Sequence, residues 1–200
     1  MTGAVPSPGV AVELAANDAA PPAELAPASP FPALVVGPEV FACDHLAPFS
    51  FSFETPIRKA GVHCYVQFST HCFSDKYDPE RHPENVVVLD ERGQIRCFDR
   101  DRYELSKGLK ALIEGLPGSK VYQTPESNFA IITMQDGREY RVFFNVRRDS
   151  KKKIRLYVES AYPPDAEKFQ VAPATSYQKV RFVALVDKVL SNEKLVFKGR

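Results

Sequence analysis

The stretch Tyr140–Tyr162, YRVFFNVRRDSKKKIRLYVESAY, decides how this chain folds. Tyr140, Val142, Phe144 and Val146 alternate with Arg141, Phe143, Asn145 and Arg147. Past Asp149-Ser150-Lys151, Ile154, Leu156 and Val158 alternate with Arg155, Tyr157 and Glu159. A strand turns successive side chains to opposite faces, so the pattern predicts an antiparallel hairpin with one face on a core. With Asp149-Ser150-Lys151 as the loop, Asn145 faces Arg155, Phe143 faces Tyr157 and Arg141 faces Glu159. A five-residue loop keeps the faces and shifts the partners.

Outward from the hairpin, other segments read as strands. HCYVQFST (63–70), KVYQT (120–124) and NFAIITMQ (128–135) are rich in β-branched and aromatic residues. VVVLD (86–90) and QIRCF (94–98) flank Glu-Arg-Gly as a second hairpin. Between these groups the spacing predicts a helix. Asp101 and Glu104 sit at capping-box spacing, and Leu105, Leu109, Leu112, Ile113 and Leu116 form one apolar stripe. Gly108 weakens it, and Pro117-Gly118 ends it. After AYPPD (161–165), where prolines stop the sheet, residues 176–195 read as a helix from Ser176 burying Phe182, Leu185, Val186, Val189 and Leu190, with a strand over 179–186 as the alternative. The fold class expected is α+β: an antiparallel sheet of about five to seven strands, one central helix and a C-terminal helix.

The remaining chain organises around that domain. Residues 1–33 are Ala- and Pro-rich and predict a disordered tail. Residues 34–57 predict an extended arm, in which FSFSFE (49–54) reads as a short strand or as an arm along the domain. Residues 58–200 form the single α+β domain. The first basic residue is Arg58, and residues 1–57 hold six acids. Residues 58–200 therefore carry all 26 basic residues against 19 acids, a net charge of 26 − 19 = +7 inside a protein whose total is +1. Such a domain suits a polyanionic partner and also falls within ordinary solubilising charge. No run has the length of a membrane span, and no basic n-region marks a secretory signal. Cys43, Cys64, Cys72 and Cys97 lack a disulfide-framework spacing and predict reduced thiols in a cytoplasmic protein.

The chemistry concentrates on the outer face of the 140–160 hairpin. Arg141, Phe143, Asn145 and Arg147, with Lys151, Lys152 and Lys153 at the tip, offer rings for stacking and cations for phosphates, so RNA is one candidate partner. Arg155, Tyr157 and Glu159 add the acid, base and cation of metal-independent RNA cleavage. His71, where the first strand gives way to a polar loop, is a candidate general acid–base. The same residues also suit a solvated sheet face, because alternation assigns faces and not roles. His63-Cys64 and His71-Cys72 lack zinc-site spacing, and no metal or cofactor is expected. With no Gly-rich phosphate loop, G-x-S-x-G or H-E-x-x-H present, the leading expectation is a non-enzymatic interaction or accessory module meeting a protein partner. A nucleic-acid-directed protein, acting as a small RNase, is the alternative.

Three segments carry a resemblance: His71-Cys72-Phe73-Ser74, Arg102–Ser106, and Phe143-Phe144 with Ser160-Ala161-Tyr162. Over about residues 60–198 they resemble a poorly characterised bacterial family with HCF(S/T), RYELS and FF…SAY segments. The hairpin and its SAYPP exit are also similar to the closing strands of barnase-like and RelE-like toxin nucleases. That second likeness implies an RNase centre on the open face of an antiparallel sheet. It matches no catalytic set residue by residue, and the order of helices differs.

Overall fold

A computed structural model describes residues 28–78, 80, 87–124, 127–133, 139–163 and 177–193. The expected tail lies outside these residues up to position 27. The protein is an α+β fold. Its strands are β1 (Leu34–Val36), β2 (Glu39–Phe41), β3 (Phe49–Phe53), β4 (Val62–Phe68), β5 (Ser74–Lys76), β6 (Val87–Leu89), β7 (Ile95–Phe98), β8 (Lys120–Gln123), β9 (Asn128–Thr133), β10 (Glu139–Arg148), β11 (Lys153–Tyr162) and β12 (Gln178–Arg181). Its helices are α1 (Arg100–Ser106), α2 (Leu109–Glu114) and α3 (Phe182–Leu190).

The main sheet has seven strands in the order β12-β8-β9-β10-β11-β4-β3. It joins two antiparallel blocks: the β8-β9-β10-β11 meander with β12, and the β3-β4 pair. The join departs from the antiparallel expectation, because β11 runs parallel to β4, with Arg155 beside Tyr65 and Tyr157 beside Gln67. Residues 49–53, read from sequence as a strand or an arm, form the edge strand β3. β5, β6 and β7 make a separate three-stranded sheet, and β1 pairs with β2.

One face of the main sheet is the core. Val62, Cys64, Val66, Val142, Phe144, Ile154, Leu156 and Val158 are all buried on it. α3 packs there through Phe182, whose ring lies 5.7 Å from Phe53 and 6.1 Å from Phe144. Asp187 of α3, itself buried, accepts from Thr55 Oγ1 at 2.6 Å and Arg58 Nη1 at 2.5 Å. These bonds fasten the helix to the loop after β3.

Local signals explain the helices and two corrections to them. The predicted central helix is two helices. At the break Lys107 N–H donates to Glu104 and Gly108 N–H to Leu105, a tighter i−3 pattern, before Leu112 N–H returns to Gly108. The N-cap is Asp99, whose side chain accepts from Arg102 N–H at 3.0 Å, and not Asp101. The apolar stripe still points inward, with Leu109, Ile113 and Leu116 fully buried. At the C-terminus, strand β12 comes first and the helix starts at Phe182; Ser176 lies outside the described residues. Among the described residues no helix is long and apolar enough to cross a membrane.

Candidate functional site

The face opposite the core carries the candidate residues. α3 packs on the core side, so the last helix does not bury this face. Tyr65, Asn145 and Tyr157 are half-buried on it, while Gln67, Arg147 and Arg155 are exposed.

The face assignment of the hairpin holds, and the pairings shift. Asp149 and Ser150 N–H both donate to Lys153 O, moving the turn one residue on and every partner by two. Asn145 therefore lies opposite Tyr157, and Arg147 opposite Arg155. A bulge at Glu159 then shifts the register again, so Phe143 faces Ser160 and Arg141 faces Tyr162. The predicted Arg141–Glu159, Phe143–Tyr157 and Asn145–Arg155 pairs do not form. Glu159 has no opposite residue, and its carboxylate accepts from Asn145 Nδ2 at 2.5 Å. Bulges commonly re-aim a side chain in this way.

At one end of the face, the hairpin tip gathers cations. Arg147, Arg148, Lys151, Lys152, Lys153 and Arg155 are exposed within nine residues that hold one acid, Asp149. Asp149 accepts from Arg155 Nε at 2.9 Å, with the two side chains 37% and 63% exposed. Arg147 directly opposite Arg155 is a like-charge cross-strand pair, which weakens a sheet.

At the other end, where β4 and β11 finish side by side, the polar groups are tied together. The turn Thr70–Cys72 follows β4, and Ser69 Oγ accepts from His71 N–H at 3.1 Å. Glu91, from the β6–β7 turn, accepts from Thr70 N–H at 2.7 Å. Its neighbour Asp90 accepts from Arg92 N–H and Gln94 N–H, both at 2.8 Å, and contacts His71 Nε2 at 3.4 Å. The Gln94 and Arg92 amides hold the Asp90 carboxyl below the usual carboxylate range, with His71 helping. Burial, seconded by the Arg96 charge, pushes the His71 imidazole down, so it is neutral at neutral pH. Burial and the nearby Glu91 carboxylate push the Tyr157 hydroxyl up, so it stays protonated.

The predicted catalytic quartet is thus divided. His71, Tyr157 and Glu159 share the β4–β11 end: Ser69 Oγ accepts from His71 N–H and lies beside the Tyr157 hydroxyl, the Glu91 carboxylate acts on both His71 and Tyr157, and Glu159, near Tyr157, accepts from Asn145. Arg155 belongs to the tip; it and Glu159 stand four residues apart on β11, about 13 Å. The predicted binding set divides as well. Arg147 and Lys151–Lys153 share the tip. Arg141 is 5% exposed and holds Glu139 through Nη2 at 2.9 Å, and among the described residues its Nη1 has no hydrogen-bond partner. Phe143 is stacked between Phe129 and Tyr162, with centroids 5.2 and 5.5 Å away. Sequence reading missed Ser69, Asp90, Glu91 and Arg96. Asp90 and Gly93, whose φ is +73°, are visible as turn residues, but nothing local tells that the turn meets His71.

Cys43, Cys64, Cys72 and Cys97 are buried, and none is in a disulfide. Burial pushes the Cys43 thiol up to about 11 and Cys64 and Cys72 to about 12, which argues against a Cys72 nucleophile. Among the described residues no group of three or more His, Cys, Asp and Glu side chains is placed to hold a metal ion.

Comparison with known proteins adds a family. The model of the YjaZ family matches residues 33–190, which include both ends of the outer face. Protein YjaZ of Escherichia coli (strain K12) is 31% identical over 137 residues, covering 66% of this chain and 72% of that protein. No solved structure matches.

Proposed function

The chain belongs to the YjaZ family, and from that premise we propose that it is a non-catalytic binding module that docks single-stranded RNA on the β10–β11 hairpin tip. One observation carries this reading: six exposed cations project from the end of a two-stranded ribbon beside a single acid. Two of them, Arg147 and Arg155, oppose each other at a cost to the sheet. A phosphate chain laid along the tip would neutralise that repulsion and release counterions. Tyr65, beside Arg155 on β4, and Tyr157 continue from the tip as half-buried rings for base stacking. Four cysteines outside any disulfide suit a reducing, cytoplasmic setting.

The RNase alternative draws on the shared β4–β11 end, where His71, in contact with Asp90, and Tyr157 meet around Ser69 and Glu91. Cleavage needs base, acid and cation around one phosphate. Here the tip cations stand about 13 Å from Glu159 along β11. Arg96, the cation whose charge reaches His71, donates from Nε to Ser74 Oγ at 2.8 Å and from Nη2 to Ser74 O at 2.9 Å.

The test is fluorescence anisotropy of a labelled single-stranded RNA, with the same RNA run on a denaturing gel with and without EDTA. The expected result is binding that weakens with salt, is about 100-fold weaker in K151E/K152E/K153E, and leaves the RNA intact. Absence of binding at low salt overturns the proposal. Metal-independent cleavage that depends on His71 overturns the non-catalytic part of it.

A further inference from the structure

β3 is a terminal strand of the main sheet. The ladder beyond β4 shows which of its backbone groups point away from β4. His63 N–H donates to Lys152 O at 2.9 Å, and Ser69 N–H to Val158 O at 3.0 Å. Odd-numbered residues of β4 therefore turn their backbone polar groups toward β11, and Val62, Cys64 and Val66 turn theirs toward β3. Those three face Phe53, Phe51 and Phe49, which answer them. The N–H and C=O groups of Ser50 and Ser52 point away from β4, to an edge on which no strand lies among the described residues.

Edge strands in soluble proteins are usually blunted by a charge, a proline or a bulge. Residues 49–53 contain no charged residue and no proline, and their register with β4 is regular. The strand also reads FSFSF in both directions. An antiparallel pair about a two-fold axis sets each residue against its mirror position, so a palindrome pairs like with like. Centred on Phe51, the axis puts Phe49 against Phe53 and Ser50 against Ser52 of a second copy. Each Ser50–Ser52 pair then exchanges both backbone hydrogen bonds, and the two Phe51 residues form the closer, non-hydrogen-bonded pair. The rings of Phe49, Phe51 and Phe53 already run in a row, at 6.0 and 5.6 Å, and are half-buried. A second row covers their open side. The two strands are uncharged, so they meet without like-charge repulsion.

We propose that β3 is a homotypic docking edge: two copies join β3 to β3 antiparallel and make one continuous sheet of twice the width. Pro48, which has no N–H, stops the ladder at five residues, so the association is modest and depends on concentration.

Sedimentation equilibrium of the full chain across a concentration series tests this. The wild type is expected to pass from monomer to dimer. S50K/S52K places lysines on two exposed positions whose one side-chain hydrogen bond among the described residues is Ser52 Oγ to His63 Nδ1 at 3.4 Å. It should weaken the dimer by about tenfold or more with the melting temperature little changed. Ser52→Pro removes a donor at the open edge alone and should act in the same direction, while S50T/S52T keeps the dimer. A wild type that stays monomeric at every concentration overturns the proposal, as does a dimer indifferent to S50K/S52K.

Discussion

The two ends of the outer face carry comparable numbers of ionisable groups and treat them in opposite ways. At the β4–β11 end, Asp90, Glu91 and Glu159 take protein donors, and His71 contacts Asp90. That cluster fastens the β6–β7 turn to the finish of β4. At the hairpin tip, six cations share one exposed acid, and two of them oppose each other. Charge answered inside the fold is structure. Charge that the fold leaves unanswered, at a cost to itself, is where an outside anion fits.

The comparison breaks most sharply by reversing the tip. K151E/K152E/K153E should lower RNA affinity by about 100-fold in anisotropy, because three phosphate contacts turn repulsive. Melting temperature should stay within about 2 °C, since these side chains are solvated. The opposite dissociation belongs to the other end. Asp90→Ala leaves the Arg92 and Gln94 amides and His71 without their acceptor, and should cost about 2 kcal/mol in urea unfolding while RNA affinity moves less than about twofold. A smaller effect separates the ends by pH. Folded His71 takes a proton less readily than the unfolded chain, as does His45, which burial also pushes down. The unfolded state therefore gains protons first as pH falls. Stability is whole above the ordinary histidine range and declines from about pH 6.5 downward. Thermal melts between about pH 7 and pH 5 should show this decline, flattened in part by His71→Gln. The smallest change is at the tip's one acid. Asp149→Ala removes an exposed ion pair and should alter stability by under about 0.5 kcal/mol while raising RNA affinity about two- to threefold.

Much of the fold was legible because it is local. The faces of Tyr140–Val146 and Ile154–Val158, the β6–β7 hairpin and the stripe Leu109, Ile113 and Leu116 all follow from period and turn chemistry over a few residues. Partners were harder to read, since a turn displaced by one residue moves each pair by two and the Glu159 bulge moves them once more. Gly108 was visible as a weak point, but a helix break depends on what both halves pack against. The C-terminal segment suited helix and strand alike, and both occur in succession. The parallel β4–β11 seam joins segments some 90 positions apart, with nothing local to announce it. For the same reason the candidate site was half seen. The tip is one run of sequence, whereas His71 with Asp90 and Thr70 with Glu91 meet through tertiary structure alone.

The central claim is that the tip is a phosphate-docking surface. Its most direct test is the salt dependence of single-stranded RNA binding by the wild type and by K151E/K152E/K153E. Six phosphate contacts predict that log K falls with log salt at a slope of about −4, and the loss of three lysine contacts makes that slope shallower by about 2. A wild-type slope near zero, or a slope and affinity shared by both proteins, would contradict the account.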